Sequence, residues 1–131
     1  VYTDPYQYFG RLAAEIWRAN RLVVDTGLHA KGWTREQAIA QMRNTSAISE
    51  TNATIEVERY IAMPGQALAY KIGELKLQEL RQRAMKALGD RFDPREFHRA
   101  VLEDGSLPLD VLDAKVTRWL ATQRAGTPIV D

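Results

Sequence analysis

The side chains most capable of chemistry lie in two short stretches. The first contains Arg18, Arg21, Asp25 and His29, around the end of the predicted first helix. Arg21 and Asp25 are four residues apart, so they share a helix face and can form an ion pair. Together these groups could bind a substrate, but an exposed helix face with one surface ion pair has the same pattern. The pattern alone favours the surface ion pair.

The second stretch surrounds a Pro-Gly pair. Arg59 and Tyr60 precede the pair, and Gln66 and Tyr70 follow it. A Pro-Gly break between two helices exposes backbone N–H groups at the start of the second helix. The tyrosine hydroxyls and the glutamine amide would add donors close to that break. A structural corner with amphipathic tyrosines at its edge also fits, and the pattern alone favours this structural interpretation.

A zinc site is not predicted within this chain. Zinc hydrolases use closely spaced histidines, usually on one helix, with a third ligand. Here His29 and His98 lie on different elements, and the chain contains no cysteine. His98 lies in a charged stretch and is predicted to be a solvated helix residue.

Paired carboxylates offer no clear acid–base couple either. Glu103 and Asp104 are adjacent, but they lie at a predicted helix end, where solvation is expected. Glu56 and Glu58 are two residues apart and therefore point to different sides of a helix.

Six helices and no strand are expected to position these residues, in an all-α, mostly antiparallel, bundle-like subdomain over residues 1–125 with a loose tail over 126–131. Start signals include Asp4 before Pro5, a Thr34/Gln37 capping box, and Asp93 before Pro94. The predicted helices run from about Pro5 to Thr26, onward from Thr34, from Ser49 to about Met63, from about Pro64 to Leu88, from Asp93 to Asp104, and from about Pro108 to Thr122.

Helical spacing predicts a core in which Phe9, Ile16 and Val23 are the contribution of the first helix. Arg18, Arg21 and Asp25 would then lie on the opposite, unpartnered face. The other predicted core residues are Leu68, Ile72, Leu75, Val101, Leu112, Val116 and Leu120.

The net charge and the lengths of the apolar runs exclude some classes of binding partner. The 131 residues carry a net charge of +1, too little to drive binding to nucleic acid. No apolar run approaches the roughly 18 residues of a membrane span. Because the chain starts at Val1 rather than Met, we expect it to belong to a longer protein.

Several stretches resemble the bacterial family called domain of unknown function 885. They are RANRLVVDTGLH (18–29), KGWTREQA (31–38), RYIAMPGQALAYKIG (59–73) and LGDRFD (88–93), followed by Glu96-Phe97-His98 and residues 105–109. The match covers nearly the whole chain in the right order. Met63 departs from it, since an aromatic residue is more usual there.

The resemblance implies a mostly helical, zinc-dependent peptidase whose metal ligands precede the segment seen here. This chain would be the carboxy-terminal portion, inactive alone, with zinc in the missing amino-terminal half. Its partners would be that half and a peptide substrate. The parent would be bacterial, and the sequence leaves its compartment open, with export to the periplasm or as a lipoprotein included.

The resemblance also implies residue roles. Donors to the substrate carbonyl or oxyanion would be His29, Tyr60 and Tyr70, and the sequence does not decide between the tyrosines. Residues that bind or position substrate, some of them across the cleft from the missing half, would be Arg18, Arg21, Asp25, Arg59 and Gln66. Two alternatives remain open: a helical protein–protein interaction module without catalysis, and a purely structural helical cap.

Overall fold

A computed structural model describes residues 2–125, which form six α-helices and no strand, so the all-α prediction is confirmed. The predicted tail, 126–131, lies outside the described residues. None of the helices in the described part is long and apolar enough to cross a membrane. The helices are α1 (Pro5–Ala30), α2 (Arg35–Thr45), α3 (Glu50–Ala62), α4 (Ala69–Leu88), α5 (Pro94–Leu102) and α6 (Leu109–Ala125), with 3₁₀ turns at Gln66–Leu68 and Gly89–Arg91 on either side of α4.

The helix starts predicted at Asp4, Thr34 and Asp93 are confirmed, whereas the fourth helix begins at Ala69 rather than near Pro64. The Asp4 carboxylate accepts the N–H of Tyr6 at the start of α1. At α2, the Thr34 side chain accepts the N–H of Gln37 while the Gln37 side chain accepts the N–H of Thr34. Asp93 caps α5 in the same manner as Asp4 caps α1. These contacts satisfy N–H groups that have no partner within a helix.

The end of α1 differs from the prediction. The sequence predicts an end near Thr26, but α1 continues through Gly27 to Ala30. Instead, Gly27 allows a close approach by Trp33, because a Cβ at this position would lie 2.3 Å from Cε3 of the indole ring. The carbonyl of Gly27 also accepts the N–H groups of Lys31 and Trp33. This glycine is therefore required for packing rather than for a turn.

The described residues divide into two compact units, one up to Ile72 and one from Gly73 onward. Each unit has its own core. In the first unit the buried apolar residues are Val24, Ala38, Met42, Ala53, Val57, Tyr60 and Ala67. In the second they are Leu80, Ala84, Leu88, Phe97, Ala100, Leu112, Val116, Trp119 and Leu120.

The predicted core is only partly correct. Leu112, Val116 and Leu120 are buried as expected, and Leu68 and Val101 are partly buried. The prediction is wrong for five residues whose side chains are largely exposed: Phe9, Ile16, Val23, Ile72 and Leu75. The side of α1 that is buried carries Asn20, Val24, Asp25 and Gly27. Periodicity identified an apolar side of α1, but it could not show that the first unit packs on the other side.

The acidic pair considered from sequence has a structural role in the second unit. Lys115 Nζ lies 3.1 Å from Glu103 Oε1 and 2.8 Å from Asp104 Oδ2. In the same unit, Asp113 binds Lys76 and Arg83, and these two cations lower the pKa of its carboxyl group to about 2. These carboxylates are used to join helices by ion pairs.

Candidate functional site

The two stretches singled out from sequence meet in the first unit. Helix α1 contributes Arg21, Asp25 and His29, and α3 contributes Arg59 and Tyr60. The 3₁₀ turn and the first turn of α4 add the remaining predicted side chains, Gln66 and Tyr70. Arg21, His29, Arg59, Tyr60, Gln66 and Tyr70 each contact another member of this group. Asp25 instead binds the backbone of Gly65, and Arg18 binds its own helix.

Glu56, on α3, is the centre of the group. Its Oε2 atom accepts the Tyr60 hydroxyl at 2.7 Å, Arg59 Nη2 at 2.8 Å and Arg21 Nη2 at 3.3 Å. Sequence reasoning missed Glu56 as a site residue, because it compared Glu56 only with Glu58. Its spacing of three and four residues from Arg59 and Tyr60 is the signal that could have found it, since such residues are neighbours on a helix.

The electrostatics of the group favour an ionised Glu56. Burial alone would raise the pKa of its carboxyl group. The hydrogen bonds from Arg59 and Tyr60, with the charges of Arg59 and Arg21, outweigh burial and lower that pKa. Burial and the bond to Glu56 raise the pKa of the Tyr60 hydroxyl, and the same carboxylate raises the pKa of Arg59. At neutral pH, a neutral tyrosine and two guanidinium groups therefore surround one carboxylate.

Aromatic rings hold Arg21 in place. Its guanidinium carbon lies 5.3 Å from the centre of the Trp17 ring and 4.8 Å from the centre of the Tyr70 ring. Its Nε atom lies 3.3 Å from the Tyr60 hydroxyl oxygen. The predicted ion pair with Asp25 is wrong, because Arg21 binds Glu56 of α3 instead.

Asp25 is buried and fixes the Pro-Gly corner. Its two carboxylate oxygens accept the N–H of Gly65 at 3.1 and 3.2 Å. Gly65 has a φ of 79°, in the left-handed region that favours glycine. The prediction of an unpartnered face is therefore wrong for Arg21 and Asp25. Arg18 is exposed and donates to the carbonyl of Ala14 on its own helix.

His29 joins the ends of two helices. It is exposed at the end of α1, and its Nε2 atom lies 3.0 Å from the backbone carbonyl oxygen of Tyr60. Because a carbonyl oxygen only accepts, Nε2 carries the proton in this geometry. This contact ties the end of α1 to the end of α3.

The group reaches the surface through three donors, here called the donor edge: Arg59, Gln66 and Tyr70. Arg59 Nη1 donates to Gln66 Oε1 at 2.6 Å, and Gln66 Nε2 lies 3.4 Å from the Tyr70 hydroxyl. Tyr60 is fully buried, whereas 49% of Tyr70 is exposed. The donor edge has a guanidinium, an amide and a hydroxyl, which are suited to holding a carbonyl or carboxylate oxygen.

A metal does not fit the side chains of this group. Within residues 2–125, no cluster of three or more His, Cys, Asp or Glu residues could hold a metal ion. His98 is exposed on α5, as expected. What the described residues offer is hydrogen-bond donation and charge.

Comparison with known proteins identifies the family of this chain. Residues 1–116 match the family described as bacterial protein of unknown function, DUF885. The chain belongs to the DUF885 family. A crystal structure described as that of "the putative lipoprotein from Colwellia psychrerythraea" is 53% identical, with a TM-score of 0.88 over 91% of this chain. No curated protein matches the chain.

The solved relative is much longer than this chain. The match covers 20% of the Colwellia protein, so the chain spans about a fifth of that length. In a DUF885 protein of that size, most of the structure would be supplied by residues other than those matched here.

Proposed function

We propose that this chain is the carboxy-terminal, substrate-facing helical part of a longer DUF885 protein that hydrolyses peptide bonds. The observation that carries the proposal is the donor edge and the half-buried network beneath it. Arg21 and Tyr60 are 39 positions apart in sequence, yet both bind Glu56. A network of half-buried ionic groups that holds donors at a surface is typical of a preorganised binding site.

In this proposal, the tyrosine that contacts the substrate is Tyr70 and not Tyr60. The Tyr60 hydroxyl is buried and already donates to Glu56, while Tyr70 is exposed beside Gln66. A hydroxyl and an amide held in one geometry can bind a peptide carbonyl more strongly as negative charge develops on its oxygen. Arg59 would orient the peptide through a second oxygen, as guanidinium groups do with carboxylates.

The other predicted residues act as positioning groups. Glu56, Arg21 and Tyr60 fix Arg59 and Tyr70, and Asp25 holds the corner from which Gln66 projects. His29 secures the ends of α1 and α3. Arg18 lies apart from the donor edge and is proposed to contact the rest of the longer protein.

Any zinc ion used in the reaction would be held by other residues of the longer protein. The described residues contain no group of three or more His, Cys, Asp or Glu side chains that could hold a metal ion. The Colwellia protein's description as a lipoprotein supports export of the parent as part of the proposal.

The test uses the full-length protein and a mixture of unmodified peptides, with products identified by mass spectrometry. We expect cleavage that is lost with a chelator and restored by zinc. The double variant Gln66→Ala/Tyr70→Phe should cleave at least about a hundredfold more slowly, the effect of losing oxyanion donors. Its stability should be kept, because both side chains lie at the surface edge. Absence of cleavage by the zinc-loaded native protein would refute the proposal.

The alternative, a helical interaction module, is favoured by a different observation: large apolar side chains exposed on α1. It predicts no peptide cleavage by the full-length protein. It also predicts that substitutions of the exposed apolar residues of α1 abolish partner binding, whereas substitutions in the donor edge do not.

A further inference from the structure

The outer side of α1 carries a row of exposed apolar side chains, here called the α1 stripe: Phe9, Leu12, Ile16 and Val23. Their exposed fractions are 60%, 42%, 44% and 46%. Single exposed apolar residues are ordinary on protein surfaces. A continuous row of four large ones along one helix marks a surface that another structure covers.

The spacing of the stripe indicates what kind of structure covers it. Leu12 follows Phe9 by three positions and Ile16 follows Leu12 by four. Ala19 follows Ile16 by three positions, and Val23 follows Ala19 by four. Steps of three and four average 3.5 residues, the repeat with which one helix packs along another. The spacing therefore favours a helix as the occupant.

The first unit cannot use the stripe for its own core. Its core packs on the other side of α1, through Val24 and the buried polar residues Asn20 and Asp25. Asn20 is bound there to Thr45 of α2, and Asp25 to the Pro-Gly corner. Turning α1 to bury the stripe would break both contacts, so the stripe is a second packing surface of the same helix.

We propose that a helix from the remainder of the longer DUF885 protein packs on the α1 stripe. The Colwellia relative is 53% identical over this region, which is only a fifth of its length. A protein of that size has ample chain to cover the stripe. A helix in the same molecule has a high effective concentration, so covering the stripe needs no separate association step. The proposal rests on family membership and not on peptide hydrolysis.

Cysteine labelling tests the proposal directly. These 131 residues contain no cysteine, so a thiol introduced among them is identified by the mass of its own peptide. Leu12→Cys and Val23→Cys place thiols on the stripe. Ile55→Cys is the matched control, since Ile55 lies on α3 and is 57% exposed. Each variant of the full-length protein is treated with a maleimide, and the labelled peptide is quantified by mass spectrometry. Labelling rates of the same variants unfolded in urea correct for the intrinsic reactivity of each thiol.

We expect both stripe thiols to react at least about tenfold more slowly than the Ile55→Cys thiol, since labelling a covered site requires local opening. This protection should be the same at all protein concentrations. Equal native rates at all three positions would overturn the proposal. Protection that disappears on dilution to the monomer would also overturn it, by showing that a second copy of the protein is the occupant. Either result leaves the proposed peptidase activity to its own test.

Discussion

At the scale of single residues, the geometry of the site depends on how many donors converge on Glu56. Its carboxylate is half-enclosed and accepts from Tyr60, Arg59 and Arg21. Removing its charge leaves two guanidinium groups close together without the negative charge that they share. The bonds to an ionised group are among the stronger ones in proteins, so this carboxylate should matter for stability as well as for the shape of the donor edge.

We predict that Glu56→Gln destabilises the protein by about 1–3 kcal/mol at pH 7, the usual cost of losing hydrogen bonds to a charged group. The folded protein lowers the pKa of Glu56 from 4.5, so its contribution is present above pH 4.5 and is lost as the pH falls through the lower, folded value. The difference in unfolding free energy between the native protein and the variant should therefore shrink in acid. Urea titrations followed by circular dichroism between pH 7 and pH 3 measure it.

The control for that prediction is Glu58→Gln. Glu58 is exposed on the same helix and binds Arg35 at the surface. Its replacement should cost no more than about 1 kcal/mol, as for other surface pairs. A Glu56→Gln effect that is no larger than the control, or one that is independent of pH, would contradict the role given to Glu56.

Asp25 gives a second prediction at this scale. Asp25→Ala removes the acceptor of the Gly65 N–H and should destabilise the protein by about 1–3 kcal/mol, the cost of leaving a partly buried donor unpaired. Asp90→Ala, at an exposed aspartate, should change the free energy of unfolding by less than about 0.5 kcal/mol. Thermal denaturation compares the two, and an equal effect would show that Asp25 does not secure the corner.

These residue-level partners could not be predicted from sequence. The pattern placed Arg21 and Asp25 four apart and predicted that they pair. In the structure, Arg21 binds Glu56, 35 positions away, and Asp25 binds Gly65, 40 positions away. A local ion pair is worth a few tenths of a kcal/mol, so tertiary contacts readily replace it.

At the scale of the helices, local chemistry predicted starts well and ends less well. The caps at Asp4, Thr34 and Asp93 involve neighbouring residues only, so sequence reveals them. The continuation of α1 through Gly27 depends on Trp33, which lies beyond the helix end. The apolar side of α1 was also visible in sequence, but whether the first unit or another structure covers it was not.

Two glycines of α1 make a matched pair for a prediction. Gly27→Ala would put a methyl group against the Trp33 ring and should destabilise the protein by about 1–3 kcal/mol, as overpacking does. Gly10→Ala has no atom within 4 Å of the new methyl group. It should raise stability by up to about 1 kcal/mol, because alanine favours helix over glycine. Thermal denaturation compares the stability of the two variants. A Gly27→Ala variant as stable as Gly10→Ala would contradict the packing role of Gly27.

At the scale of the whole molecule, sequence was sufficient for the all-α class and for the family, because helix signals and the quoted motifs are spread along the entire chain. It did not reveal the division near Ile72, since α4 runs through that boundary as one continuous helix. The candidate site residues lie in two separate stretches of the sequence, and the resemblance implies their roles. Their convergence could be seen only once α1, α3 and the corner were placed together.

The central claim is that this part of a DUF885 protein offers its donor edge to a substrate, and Tyr70→Phe in the full-length protein tests it most directly. The matched control is Tyr8→Phe: Tyr8 and Tyr70 are both 49% exposed, and each ring lies beside an arginine. The measurement is kcat/KM for peptide cleavage, with Tm determined on the same samples. The account predicts a fall of roughly a hundredfold for Tyr70→Phe, as for the loss of one oxyanion donor, with Tm and the control unchanged. Equal kcat/KM values for the two variants would contradict it.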